Sequence, residues 1–190
     1  MLKDLAKRCR SYRRFYQDRP IAVETLTELV ELARLSASGG NRQVLKYGLA
    51  NSPELNGRVF AALGWAGYLP EWDGPEEGER PAAYVVLLRD TSLGAGMPQD
   101  EGIAVQSIVL GATELGLGGC IFANIRRQAL AEAIGLDAKY EIALIVALGY
   151  PKEEVVVEPM DAAGSVKYWR DDAQVHHVPK RSLSELLVAL

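Results

Sequence analysis

Lys7, Arg8, Arg10, Arg13 and Arg14 place five cations, with the hydroxyl of Ser11 among them, in the nine residues Lys7–Phe15 of a chain whose net charge is −4. Side chains of this kind, gathered this closely, bind anions. A second basic group, Lys180-Arg181 after Pro179, stands near the other end. Where two such groups meet in a fold, they surround a dianion with point charges and planar guanidinium forks, which is what a phosphate monoester requires. The bland alternative for a basic run is a solvated helix end.

Acids, bases and nucleophiles in catalytic spacing are scarce. The two histidines are adjacent, His176 and His177, and on an extended chain they point to opposite faces, which favours a structural role. The two cysteines, Cys9 and Cys120, lie far apart without CxxC spacing, so neither a metal site nor a disulfide framework is indicated. No GxSxG, HExxH or Walker sequence occurs. A reaction that asks little of protein side chains fits this inventory, with the difficult chemistry carried by a bound cofactor.

The elements that must position these residues alternate along the chain. Leu2–Arg8 forms a short helix leading into the basic cluster. Val23, Leu26, Leu29, Val30, Leu32 and Ala33 recur at helical spacing and predict a core-facing helix over Val23–Leu35. It stops at Ser36-Ala37-Ser38-Gly39-Gly40-Asn41-Arg42-Gln43, small and polar residues that permit close approach of a ligand. A short strand follows through Val44–Leu49, and Ser52-Pro53 then caps another helix. The segment 64–81 fits no regular element and holds Trp65, Tyr68 and Trp72 among glycines and prolines, as a lid or binding loop would. The alternative is a loop that its tryptophans pin to the core.

Ala82–Leu88 and Glu141–Leu148 are expected as buried strands. Between them, Gln99–Leu117 is apolar or small around its whole circumference, a helix buried on most faces. Ala104, Ser107, Gly111 and Ala112 would let it pack closely, in one arrangement against its own copy in a dimer. Gly116-Leu117-Gly118-Gly119 follows that helix rather than a strand, so it reads as a helix end and not as a dinucleotide-binding turn. Cys120–Phe122 continues as a strand, a short helix covers Arg126–Ile134, and Ser182 with Glu185 makes a capping box for a last helix. The expected class is α+β, a single domain over residues 1–190 with a small central sheet.

Composition agrees with an ordinary globular protein, 48% hydrophobic and 24% charged over 190 residues. The acidic balance disfavours a nucleic-acid binder, which needs a broad basic face. There is no signal-peptide core and no run of roughly 18 apolar residues, so neither secretion nor a membrane span is expected. The expected location is the cytoplasm.

Several stretches together resemble one family. Arg10-Ser11-Tyr12-Arg13-Arg14-Phe15 is similar to the opening RRSxRxF signature of the FMN-dependent nitroreductases, and Ser36–Gln43 to their APSSxNxQ loop. Gly102–Ser107 followed by Gly116-Leu117-Gly118 resembles their central helix and GLG turn. Ala147-Leu148-Gly149-Tyr150-Pro151 resembles a strand end of that family, and Val178–Leu183 its closing hvPKRsL. Cys9, Ala37, Gly39 and Val44-Leu45 depart from the usual Arg, Pro, Ser and Pro-Trp.

The resemblance implies a mostly antiparallel central sheet flanked by helices, in an intertwined homodimer with a flavin in each interface. Arg10, Ser11 and Arg13 would hold the FMN phosphate and ribityl chain, with Lys180 and Arg181 returning to the same anion. Ser38, Gly39 and Asn41 would reach the flavin from the other subunit, and Ala123 and Asn124 would approach its ring. Apart from the resemblance, the density of aromatics in the 64–81 loop leads us to expect that it roofs the flavin, with Trp65, Tyr68 or Trp72 setting what can stack there and Trp65 and Tyr68 lining the substrate pocket. The implied activity is transfer of hydride from NADH or NADPH through the flavin to a nitroaromatic, a quinone or another small electrophile. No metal and no protein nucleophile is needed. A flavin-binding protein that stores or senses FMN without turnover is the alternative.

Overall fold

The apolar runs at the centre of the sequence pair with each other at the centre of the molecule. The computed structural model describes residues 1–189. It contains α1 (Leu2–Arg8), α2 (Val23–Leu35), β1 (Leu45–Ala50), α3 (Pro53–Ala61), β2 (Ala83–Asp90), α4 (Pro98–Glu114) and β3 (Gly118–Phe122). After these come α5 (Arg127–Ile134), β4 (Tyr140–Gly149), β5 (Val155–Pro159), β6 (Trp169–Arg170), β7 (His176–Lys180) and α6 (Leu183–Leu186). The main sheet has the order β1-β2-β4-β3 and is antiparallel throughout, so the class is α+β as expected.

Strand alternation sorts the core into two layers. Ala83, Val85 and Leu87 face α2 and α4, with Ala143, Val146 and Leu148 beside them. Tyr84, Val86 and Leu88 face α3 and α5, with Ile142, Ile145 and Ala147. The register slips between Leu87 and Leu88, opposite Leu144 and Ile142. This bulge lets the consecutive residues Ala143 and Leu144 both serve the α2/α4 layer.

Helix α4 ends at Glu114, before the expected Leu117, because Gly116 takes the left-handed conformation at φ 76°. The chain then enters β3 two residues earlier than Cys120. Ser52 caps α3 through the Leu55 N–H, and Ser182 and Glu185 complete the capping box of α6. Segment 64–81 holds no regular element, as its sequence suggests.

Two glycines bring the basic N-terminal segment onto the sheet. A Cβ at Gly118 would lie 2.7 Å from the Tyr12 ring and 2.8 Å from Pro151, and one at Gly149 would lie 2.7 Å from the Phe15 ring. With hydrogen there instead, Phe15 is fully buried and the Tyr12 N–H donates to the Gly119 carbonyl at 3.0 Å. The tail adds a second sheet of order β5-β7-β6, parallel between β5 and β7, that the sequence did not announce. Among the described residues no helix is long and apolar enough to cross a membrane, and no group of three or more His, Cys, Asp or Glu could hold a metal ion.

Candidate functional site

The basic segment, α4 and β3 enclose a cleft of about 200 Å³. Arg10, Ser11, Gln106, Gly119 and Ile121 line it. Ser11 and Gly119 form a parallel bridge, which fixes the segment against β3. Arg10 donates through Nη2 to the Ala6 carbonyl at 2.7 Å, while its buried Nε has no partner. A guanidinium with a donor left over, beside an exposed serine, is the equipment for an anionic ligand. Ala123 is exposed just past the end of the same strand. Cys120, on the face of β3 away from Ile121, is buried, and burial pushes its thiol up to about 11, which leaves it inert at neutral pH.

Arg13 has a different setting from Arg10. It is buried, and its Nη1 donates to the Ser11 carbonyl at 3.3 Å and lies 3.0 Å from His176 Nε2. The guanidinium also stacks 4.7 Å from the centre of the Tyr168 ring. Arg13 therefore supports the Ser11 turn from behind. His176 is desolvated and faces Arg13, Arg170 and His177, so its pKa falls to about 4 and, as a neutral ring, it accepts a hydrogen bond from the arginine N–H. Its neighbour His177 points outward and is held by Glu158 at 2.9 Å and Asp171 at 3.4 Å, with its ring stacked on Trp169. Carboxylate contact raises its pKa. The adjacent histidines thus split between the two faces of β7, as an extended dipeptide must.

Glu153 joins the tail to the head of the chain. Its Oε1 accepts the backbone N–H groups of Arg13 and Arg14, and its Oε2 pairs with Arg170 at 3.1 Å. Lys180 and Arg181 do not line the Arg10 cleft. They line a separate recess between β5 and α6, where Arg181 pairs with Glu185 at 3.3 Å. The ends of the chain meet, but through Arg13 and His176.

The second predicted loop sits at the N-terminal end of α4, whereas the Arg10 cleft meets that helix near its middle. Asp100, in its first turn, accepts from Ser38 Oγ and from the Gly39 N–H, both at 2.9 Å. Asn41 adopts φ 53° and Gln43 φ 51°, left-handed conformations that the surrounding contacts must hold in place. Ser38, Asn41, Asp100 and Ala104 line a recess of about 260 Å³. Asp100 was missed in the sequence. Its signal was an acidic residue in a helix first turn, which by itself indicates only favourable helix electrostatics.

The aromatic loop is divided. Trp65 packs 4.7 Å from Phe122, 5.5 Å from Phe60 and 6.0 Å from Trp72, which pins the loop to the α3/α5 layer. Tyr68 is exposed and leans on Tyr168, whose ring lies 4.9 Å away. Asn124 packs against Gly64 and accepts its N–H at 2.9 Å, so the loop begins at the end of β3.

The model of the family described as the nitroreductase family matches residues 6–150, which include both recesses on α4. The chain belongs to the nitroreductase family. As a member it is an oxidoreductase. A relative from Archaeoglobus fulgidus, provisionally named an NADH dehydrogenase/NAD(P)H nitroreductase, is 28% identical over 149 residues, covering 74% of this chain and 80% of its own. Among solved structures, a nitroreductase family protein from Clostridium novyi NT superposes with a TM-score of 0.65 at 20% identity, over 97% of this chain and 98% of its own. The NADPH:FMN oxidoreductase from Vibrio harveyi does so with a TM-score of 0.65 at 21% identity, over 85% and 74%. At such identities the structural likeness speaks for the fold.

Proposed function

We propose that this nitroreductase-family protein binds FMN and uses NADH or NADPH to reduce a small electrophile such as a nitroaromatic or a quinone. The observation that carries this reading is the Arg10 cleft, which is lined by an exposed serine and by a guanidinium that forms no ion pair among the described residues. These residues fit a phosphate. Bound FMN would supply hydride acceptance and donation at its ring, so that no protein nucleophile is required. Arg10 and Ser11 would bind the phosphate end, and Arg13 would hold the Ser11 carbonyl in place. Exposed Ala123 would border the ring.

The clefts of about 200 and 260 Å³ are each below the usual range of cofactor sites, about 300–1,000 Å³. Both are lined in part by α4, Gln106 at one and Asp100 and Ala104 at the other. A complete site therefore calls for a homodimer, in which a second copy brings its own Ser38–Asn41 loop to the Arg10 cleft. Trp65 would act as a pin for the 64–81 segment, and Tyr68 would be the aromatic left to meet an acceptor.

Purified protein reconstituted with FMN is expected to be yellow and to bleach with NADPH or NADH under nitrogen. Arg10→Gln should weaken FMN binding by about tenfold or more, the scale of one charge-assisted hydrogen bond. Protein that stays colourless after incubation with FMN would remove the proposal. Yellow protein that neither nicotinamide reduces would remove its catalytic part.

A further inference from the structure

On the face of the sheet turned away from the Arg10 cleft, a cavity of about 300 Å³ lies between α3 and the start of β2. Three of the residues lining it carry buried polar atoms with no hydrogen-bond partner: Tyr84 Oη, Asn56 Oδ1 and Arg80 Nε. Tyr84 is fully buried, and its strand neighbours on either side are Ala50 and Ala147. Asn56 is already oriented, since its Nδ2 donates to the Ala82 carbonyl at 2.7 Å and leaves Oδ1 to accept. The Arg80 guanidinium lies over the Phe60 ring, 4.4 Å from its centre, and forms no ion pair among the described residues. Gln17 Oε1 accepts the N–H groups of Gly78 and Arg80 at 2.8 and 3.1 Å, which anchors the backbone at this wall.

A single buried polar atom without a protein partner costs about 1–3 kcal/mol, and a ligand seated between Tyr84, Asn56 and Arg80 would offset that cost for each atom it reached. Their chemistry specifies that ligand. The guanidinium and the phenol donate, which suits a carboxylate. The amide oxygen accepts, which asks for an O–H or N–H on the same small molecule. Glu77, at the rim of the cavity, would repel a second carboxylate. We propose that this cavity is a binding site for a short monocarboxylate carrying a hydroxyl or amino group, separate from the flavin site. Because Arg80 closes the 64–81 segment and Phe60 touches Trp65, a ligand here would bear on the root of that loop.

Isothermal titration of the purified protein with L-lactate tests the site, with acetate and succinate as probes that lack the donor or add a charge. Lactate should bind saturably, and acetate and succinate more weakly. Arg80→Gln should weaken lactate binding by about tenfold or more, as expected for loss of a charge-assisted contact. Tyr84→Phe removes a stranded hydroxyl, so it should raise the melting temperature without lactate and lower the affinity for lactate. The site is disproved if no probe binds, if lactate binds Arg80→Gln and the parent equally, or if lactate-soaked crystals hold only ordered water between Tyr84 and Asn56. None of these readouts depends on flavin turnover, so the outcome is independent of the proposed reaction.

Discussion

Arg13 and His176 show what a single contact between the chain's ends does. His176 binds its proton near pH 4 when folded, against an ordinary value of 6.5, because it is desolvated and faces Arg13, Arg170 and His177. The unfolded chain therefore takes up a proton between these values that the folded chain refuses. The stability this provides is complete above pH 6.5 and is lost as the pH falls toward 4. Urea unfolding at pH 7.5, 6 and 5 should show the midpoint falling, and His176→Gln, which carries no charge at any of them, should flatten that fall. An unchanged slope in the variant would refute the assignment. The sequence made the basic cluster and the split histidine pair readable through charge and alternation. It did not reveal that Arg13 answers His176, because 163 residues separate them and only the folded tail brings them together.

The tail sheet is the element least visible beforehand, and Glu153 is what docks it. Helices α2 and α4 and strands β2 and β4 announce themselves by period and apolar length. Strand β6 has two residues, and β7 contains Pro179, so neither carries a pattern of its own. Their placement depends on tertiary partners: the Glu153–Arg170 pair is nearly fully buried, and the same carboxylate takes the Arg13 and Arg14 N–H groups. Glu153→Ala strands the Arg170 charge and should cost about 3–5 kcal/mol, the usual penalty for breaking a buried pair. Adding Arg170→Met should restore much of that loss in urea unfolding. If Glu153→Ala alone unfolded like the parent, the docking role would be refuted.

At the scale of the whole molecule, α4 carries two incomplete recesses and an apolar residue between them. Gly102, Ile103 and Gln106 are exposed along it, and Ile103 lies between Asp100, which lines one recess, and Gln106, which lines the other. Within one copy these recesses cannot merge, since the same rigid helix separates them. Across two copies each can complete the other, and an exposed Ile103 is then accounted for as contact surface. Ile103→Glu places a charge at that contact without touching the Asp100 or Arg10 bonds, so a proposed dimer should become a monomer and lose FMN in the same step. Val166→Glu, at a somewhat more exposed apolar position in the tail, should alter neither. Sedimentation velocity read alongside flavin absorbance separates the outcomes: a monomeric Ile103→Glu that keeps its flavin would show that one copy suffices, and a dimeric one would place the interface elsewhere.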